Sequence, residues 1–203
     1  MTFMRRLRRL AALALCTLAL PTAAWAFDLQ QLRAQLTAAP VVRGKFVQEK
    51  HLRALPQPLV SRGDFVLATG QGMLWQLRSP LVQTLRITPQ GIARQLPDGT
   101  WQAAPNGNNR ETRLFLALLG GDTQGLAENF DLELDGSATD WRMHMTPNSL
   151  ILRQIFTDIE IRGGALVQQI ELRETQGDRT VLRMEDARAF PTLNDDERRA
   201  FTD

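Results

Sequence analysis

"GDFVLATGQGMLW" (residues 63–75) is the stretch whose reading decides the fold. Phe65 and Leu67 fall on one parity, and Met73, Trp75 and Leu77 continue that alternation beyond Gly70-Gln71-Gly72. A period of two marks a half-buried strand, and two such runs joined by glycines read as a hairpin. The glycine pair lacks the third glycine and the following helix of a phosphate-binding loop. Asp64 is its only ionisable side chain. The hairpin is therefore wall material, and the question is what it walls.

The same period extends outward on both sides. In "VVRGKFVQEKH" (41–51), Val42, Gly44, Phe46 and Gln48 share one side, while Arg43, Lys45, Glu49 and His51 take the other. Downstream, "SPLVQTLRIT" resumes after the Ser79-Pro80 turn, and "TPQG" and "PDGT" bracket a short strand near residues 92–96. Upstream, Asp28 can cap a helix carrying Leu29, Leu32 and Leu36 on one stripe, with Pro40 beyond its end. The alternation stops at the polar loop "APNGNN" (104–109), and "RETRLFLALLGG" (110–121) reads as a short helix ended by glycine. Strands then return. Trp141, Met143 and Met145 oppose Arg142 and His144, and Ile159 and Ile161 oppose Asp158 and Glu160. Residues 148–156 are apolar at both parities and read as a helical turn or a covered segment. The tail "LNDDERRAFTD" reads as a charged end that frays.

Many antiparallel strands with one polar face, plus a few helices, give a single α+β domain. Its apolar face is too large to stay wet and must be covered by the helices. The expected architecture is an unclosed antiparallel half-barrel.

The first 26 residues read as an address. Arg5, Arg6, Arg8 and Arg9 precede an apolar run over residues 10–20, and Ala24-Trp25-Ala26 sets small residues at the −3 and −1 positions of a signal-peptidase site. The run is too short for a permanent bilayer anchor. Cys16, the only cysteine, follows Leu15 rather than a small residue, so it is not placed for lipid attachment. The expected organisation is a signal peptide over 1–26 and one domain over 27–203. That leader holds four of the 24 basic residues and no acidic one, which leaves 20 basic against 22 acidic side chains. A chain so balanced offers no overall electrostatic case for nucleic acid or for an anionic membrane.

Catalytic groups are sparse. His51 and His144, the only histidines, lie on the polar parity of their strands. Asp131, Glu133 and Asp135 share a face, as do Asp158 and Glu160; strict alternation favours a solvated outer face over a metal or acid–base site. No serine stands in a nucleophile elbow. The residues argue against an enzyme, and they call for no metal or cofactor.

Phe46-Val47-Gln48, Gly63-Asp64-Phe65 and Leu74-Trp75-Gln76-Leu77 occur in the order and spacing of the periplasmic outer-membrane lipoprotein carriers. The chain resembles that LolA-like family over nearly all of its length after residue 26, through "LFLALLGG" and "MTP" (145–147) to the later hairpins. The resemblance implies an unclosed barrel with a lid of short helices over an apolar cavity. It further implies a monomeric periplasmic shuttle that takes acylated lipoproteins from an inner-membrane ABC exporter to an outer-membrane receptor. On that reading the lipid-binding wall comprises Phe46, Phe65, Leu67, Trp75 and Leu77, with Phe115, Leu118 and Leu119 on the lid. The family's arginine after the second strand, which bonds the lid, is replaced here by Thr69-Gly70. That departure keeps open a carrier of glycolipid or another acylated lipid. A lipid-sensing periplasmic regulator is the remaining alternative.

Overall fold

The computed structural model describes residues 27–104 and 110–202. The chain opens with helix α1 (Leu29–Thr37), followed by β1 (Val41–His51), β2 (Leu59–Ala68), β3 (Gly72–Ser79), β4 (Gln83–Thr88), β5 (Gly91–Gln95) and β6 (Trp101–Ala103). Helices α2 (Arg110–Gly120) and α3 (Thr123–Ala127) lead to β7 (Phe130–Ser137) and β8 (Asp140–Pro147). Helix α4 (Leu150–Ile155), β9 (Phe156–Gly163), β10 (Val167–Glu174), β11 (Arg179–Phe190) and helix α5 (Asp195–Thr202) complete it.

The strands form one antiparallel sheet in the order β6-β5-β4-β3-β2-β1-β11-β10-β9-β8-β7. Its ends, β6 and β7, do not pair with each other, so the barrel is unclosed. This is the α+β half-barrel with an N-terminal helix that the alternation called for. α1 begins as expected: the Asp28 carboxylate accepts from the Gln31 amide at 2.8 Å while the Gln31 side chain accepts from the Asp28 amide at 3.1 Å.

Alternation sorts the side chains into two unequal cores. The larger lies on the inner face, where Phe46, Phe65, Met73, Trp75, Trp141, Met145, Ile159, Ile170 and Leu182 are buried with Leu32 and Leu36 of α1 and Leu118 and Leu119 of α2. Each glycine of the β1–β2 pair stands opposite a phenylalanine: Gly44 opposite Phe65, and Gly63 opposite Phe46. A Cβ at Gly44 would meet the Phe65 ring at 2.8 Å, and one at Gly63 would meet the Phe46 ring at 2.7 Å. The missing side chains make the space in which those rings lie.

The smaller core sits on the outer face. Val41, Val66 and Leu74 are covered there by Leu193, Ala200 and Phe201, so the tail does not fray but folds as α5 and docks. A reciprocal cap explains the correction. Asn194 accepts from the Glu197 amide at 2.8 Å, and Glu197 accepts from the Asn194 amide at 2.8 Å. Arg43 holds the other end of this contact, donating to Glu197 at 2.7 Å and to the Thr192 carbonyl at 3.0 Å. Arg86 lies over the Trp101 ring at 4.7 Å and donates to the Ala200 carbonyl.

The Arg43 bond holds the Glu197 carboxyl below its ordinary value, against the opposing effect of burial. A carboxylate depressed in the folded state stabilises above its unfolded pKa of 4.5, and that contribution is lost as pH falls through the lower folded value. We expect amide exchange in α5 to accelerate selectively under acid. Arg43→Met should remove most of that dependence and cost on the order of 1 to 3 kcal/mol. An α5 as protected in the variant as in the parent at neutral pH would contradict the assignment.

Candidate functional site

The register brings the wall residues read from sequence into one patch. Phe46 pairs with Gly63, Phe65 with Trp75, Gly63 with Leu77 and Val42 with Leu67. Phe46 and Trp75 stack with ring centroids 3.5 Å apart and planes 18° from parallel. Phe46, Phe65, Leu67 and Trp75 are buried, and Leu77 is half-buried toward the rim where β3 ends. Leu118 and Leu119 of α2 are buried against the same inner face; the Phe115 side chain lies outside the described residues.

Beneath α2 the wall encloses a void of about 20 Å³, lined by Phe65, Leu67 and Leu119 together with Leu36, Val42 and Met184. Leu166 and Val167, from the β9–β10 turn and the start of β10, also reach it. A liquid water takes roughly 30 Å³, and small-molecule pockets commonly span about 300 to 1,000 Å³. The space between Phe65, Leu67 and Leu119 is therefore filled by their own side chains in this conformation. A larger hollow of about 280 Å³ opens between the β2–β3 turn and the C-terminal half of α2, with Leu67, Gly70, Pro89, Leu116, Ala117 and Gly120 among its walls.

Thr69 borders that hollow without bridging it to α2 by any hydrogen bond among the described residues. Its hydroxyl instead donates to the Ala39 carbonyl at 2.7 Å, and its amide donates to the Pro40 carbonyl at 2.9 Å. The turn is thus tied to the α1–β1 junction. α2 is held from below by apolar packing, and from its end by the Asp122 amide donating to the Ala117 carbonyl at 3.0 Å. Gly121 follows it at φ 71°, the left-handed conformation that lets the chain reverse into α3. A Cβ there would also meet the Leu36 side chain at 2.7 Å.

The outer face carries the charge. Arg173 bonds Asp158 and reaches Glu171 at 3.1 Å, while Arg162 donates to Glu160 at 2.5 Å. Burial works against the Arg173 charge, but the bond to Asp158 and the surrounding carboxylates outweigh it and raise its pKa. His51 stands 3.5 Å from Glu49, and His144 stands 3.9 Å from Asp158. Among the described residues, no cluster of three or more histidine, cysteine or acidic side chains is placed to hold a metal ion. The described residues of the inner face offer dispersion contact and exclusion of water.

Sequence reasoning did not include Leu36, Val42, Leu166, Val167 or Met184 in the wall. Val42 and Leu36 had already shown the right parity and stripe. Met184 needed the β1–β11 pairing, which closes the sheet's centre and sets Met184 opposite Phe46.

Comparison with known proteins now bears on this geometry. The family model "Outer membrane lipoprotein carrier protein LolA-like" matches residues 21–197. No curated protein matches the chain. Among solved structures, a LolA superfamily protein from Nitrosomonas europaea is 8% identical with a TM-score of 0.48, the match covering 86% of this chain and 97% of that one. The Pseudomonas aeruginosa MucA/MucB complex contributes a chain 14% identical with a TM-score of 0.51, covering 83% of this chain and 58% of its own. A structure of MucB is 16% identical with a TM-score of 0.50, covering 87% of this chain and 62% of MucB. Likenesses at such identities concern the fold. The family match, which spans the strands, α1 and the lid, carries further: the chain belongs to the LolA-like family of outer membrane lipoprotein carrier proteins.

Proposed function

We propose that this protein is a periplasmic carrier that shields the acyl chains of lipoproteins in transit from the inner to the outer membrane. The supporting observation is an open sheet whose apolar inner face is covered by a short helix held mainly through apolar packing. Such a cover can be displaced without breaking a sheet. In family context this describes a carrier that receives cargo from an inner-membrane ABC exporter and passes it to an outer-membrane receptor. Residues 1–26 serve as the export signal, and residues 27–203 form the carrier domain.

Energetics favour an enclosed route. Each methylene buried contributes about 0.8 kcal/mol, so a sixteen-carbon chain in water forgoes on the order of 12 kcal/mol. Displacing α2 toward the 280 Å³ hollow would expose Phe65, Leu67 and Leu119 to an acyl chain without covalent work.

Thr69 supports a second reading, a carrier of glycolipid or another acylated lipid, because the turn bonds Ala39 and not the lid. Mass spectrometry of material that copurifies with the processed protein separates the two cargoes. For either cargo, Leu77→Asp should weaken capture of a fluorescent fatty acid at least tenfold, since it sets a charge on a half-buried wall position. Asp158→Asn combined with Glu160→Gln, on the outer face, should leave capture within about twofold. Equal loss in both variants, with both folded, would refute an inner-face site.

A further inference from the structure

Single exposed apolar side chains are ordinary on a protein surface, whereas their concentration in one place is not. Strand register sorts the connections of this sheet onto two rims. Lys50 pairs with Leu59, and Leu77 with Gln83, so the β1–β2 loop and the β3–β4 turn share a rim. His51 pairs with Arg179 and Glu174 with Phe156, which brings α4 to that rim as well. Among the described residues, the exposed large apolar side chains on this rim are Leu55, Leu59, Val60, Leu81 and Val82, with Leu150 and Ile151 on α4; Phe190 is at the other. Leu81 and Val82 are 72% and 80% exposed at the tip of their turn. The Arg62–Ser79 pairing brings the start of β2 alongside the beginning of that turn.

Around the β1–β2 loop and the β3–β4 turn the charges are mostly cationic, although the chain as a whole is balanced. From Glu49 to Asp64 the chain carries Lys50, Arg53 and Arg62 and no acid between; from Asp64 to Asp98 it carries Arg78, Arg86 and Arg94 and no acid between. Lys50 reaches Glu174 at 3.9 Å, and Arg78 reaches Asp64 at 2.9 Å. Arg53 and Arg62 form no salt bridge among the described residues. The rim's acids are Asp98 on the β5–β6 turn, Glu174 and Asp178 by the β10–β11 turn, with Asp178 accepting from the Arg53 amide at 2.9 Å, and Glu128 and Asp131 on the α4 side, away from Leu81 and Val82.

Exposed leucine and valine tips flanked by cations are the composition that settles into an anionic lipid interface. We infer that this rim rests on an anionic phospholipid surface, with Leu81 and Val82 entering the headgroup layer and Arg53 and Arg62 meeting phosphates. Half-buried Leu77 follows from the same turn onto the inner face, so the patch continues into the wall. The inference stands on exposure and charge and does not rest on the cargo reading.

Co-sedimentation of the processed protein with phosphatidylglycerol–phosphatidylethanolamine vesicles, against pure phosphatidylcholine, tests it. Binding to the anionic vesicles should fall at least tenfold in Leu81→Asp/Val82→Asp. In Arg53→Gln/Arg62→Gln it should fall toward the phosphatidylcholine level. Val82→Trp should shift its emission to the blue when anionic vesicles are added. Fatty-acid capture in solution should persist in the first two variants, which separates this inference from the carrier reading. Absence of vesicle binding by the parent protein, or full binding by a folded Leu81→Asp/Val82→Asp, overturns it. A patch-dependent dimer without vesicle binding also overturns it, and assigns the rim to a second copy.

Discussion

Phe46→Ala is expected to lower the unfolding free energy by about 3 to 5 kcal/mol, the range for removing a well-packed aromatic ring from a core. The ring is 1% exposed, stacks on Trp75 and occupies the space left open above Gly63. Collapse cannot refill that space cheaply, because the neighbours belong to paired strands on both sides. Nor can a residue at Gly63 take over: its Cβ would lie 2.0 Å from the Gln76 carbonyl oxygen. Guanidinium unfolding followed by tryptophan emission measures the change, and Phe46→Leu should recover more than half of it. A loss below about 1 kcal/mol for Phe46→Ala would mean that the stack is not a fixed part of the core.

Leu119→Asp is expected to release α2 while leaving the sheet folded. Leu119 is 4% exposed and faces Leu36, Val42, Phe65 and Met184 around the small void, with no cation in that lining. Loss of its burial alone, about 2 to 3 kcal/mol, shifts the detached population roughly 30- to 150-fold, and an unpaired carboxylate adds to that. Hydrogen exchange should show α2 amides losing protection while β1, β2 and β11 keep theirs. Bound fatty acid should dissociate faster by at least tenfold. Uniform loss of protection across the sheet would show that α2 is part of the cooperative core and not a cover.

The sheet was legible because polar and apolar side chains alternate cleanly along β7–β9 and keep one apolar parity through β1–β3, and a period of two leaves little choice of element. The lid helix was legible from its glycine end. What alternation could not give was volume. Phe46, Phe65 and Trp75 read equally well as the lining of an open cavity or as its filling, and only the register and the rotamers place rings above Gly44 and Gly63. The C-terminal helix was misread for a different reason. Its dense charge resembles a solvated tail, while the residues that fix it are Asn194 and Glu197 as a reciprocal cap and Arg43 at the far end of the chain. Nothing local in the sequence links Arg43 to that cap. The exposed rim was hidden likewise, since the β1–β2 loop and the β3–β4 turn come to one rim only through the β1–β2 and β3–β4 pairings.

Thr69 shows how one residue can separate fold from mechanism. The turn it occupies is tied firmly to the α1–β1 junction, but the hollow beside it leaves the C-terminal half of α2 without a polar tether to that turn. Among the described residues, apolar contacts supply most of what holds this helix over the sheet.

The most direct test of the account is where an acyl chain sits. A palmitate analogue with a photoreactive group near its methyl end, irradiated with the processed protein and mapped by mass spectrometry, should label the inner face at Leu67, Trp75, Leu77 or Leu119. Labelling confined to the outer face around Asp158 and Arg173, or competed by no natural fatty acid, would contradict it.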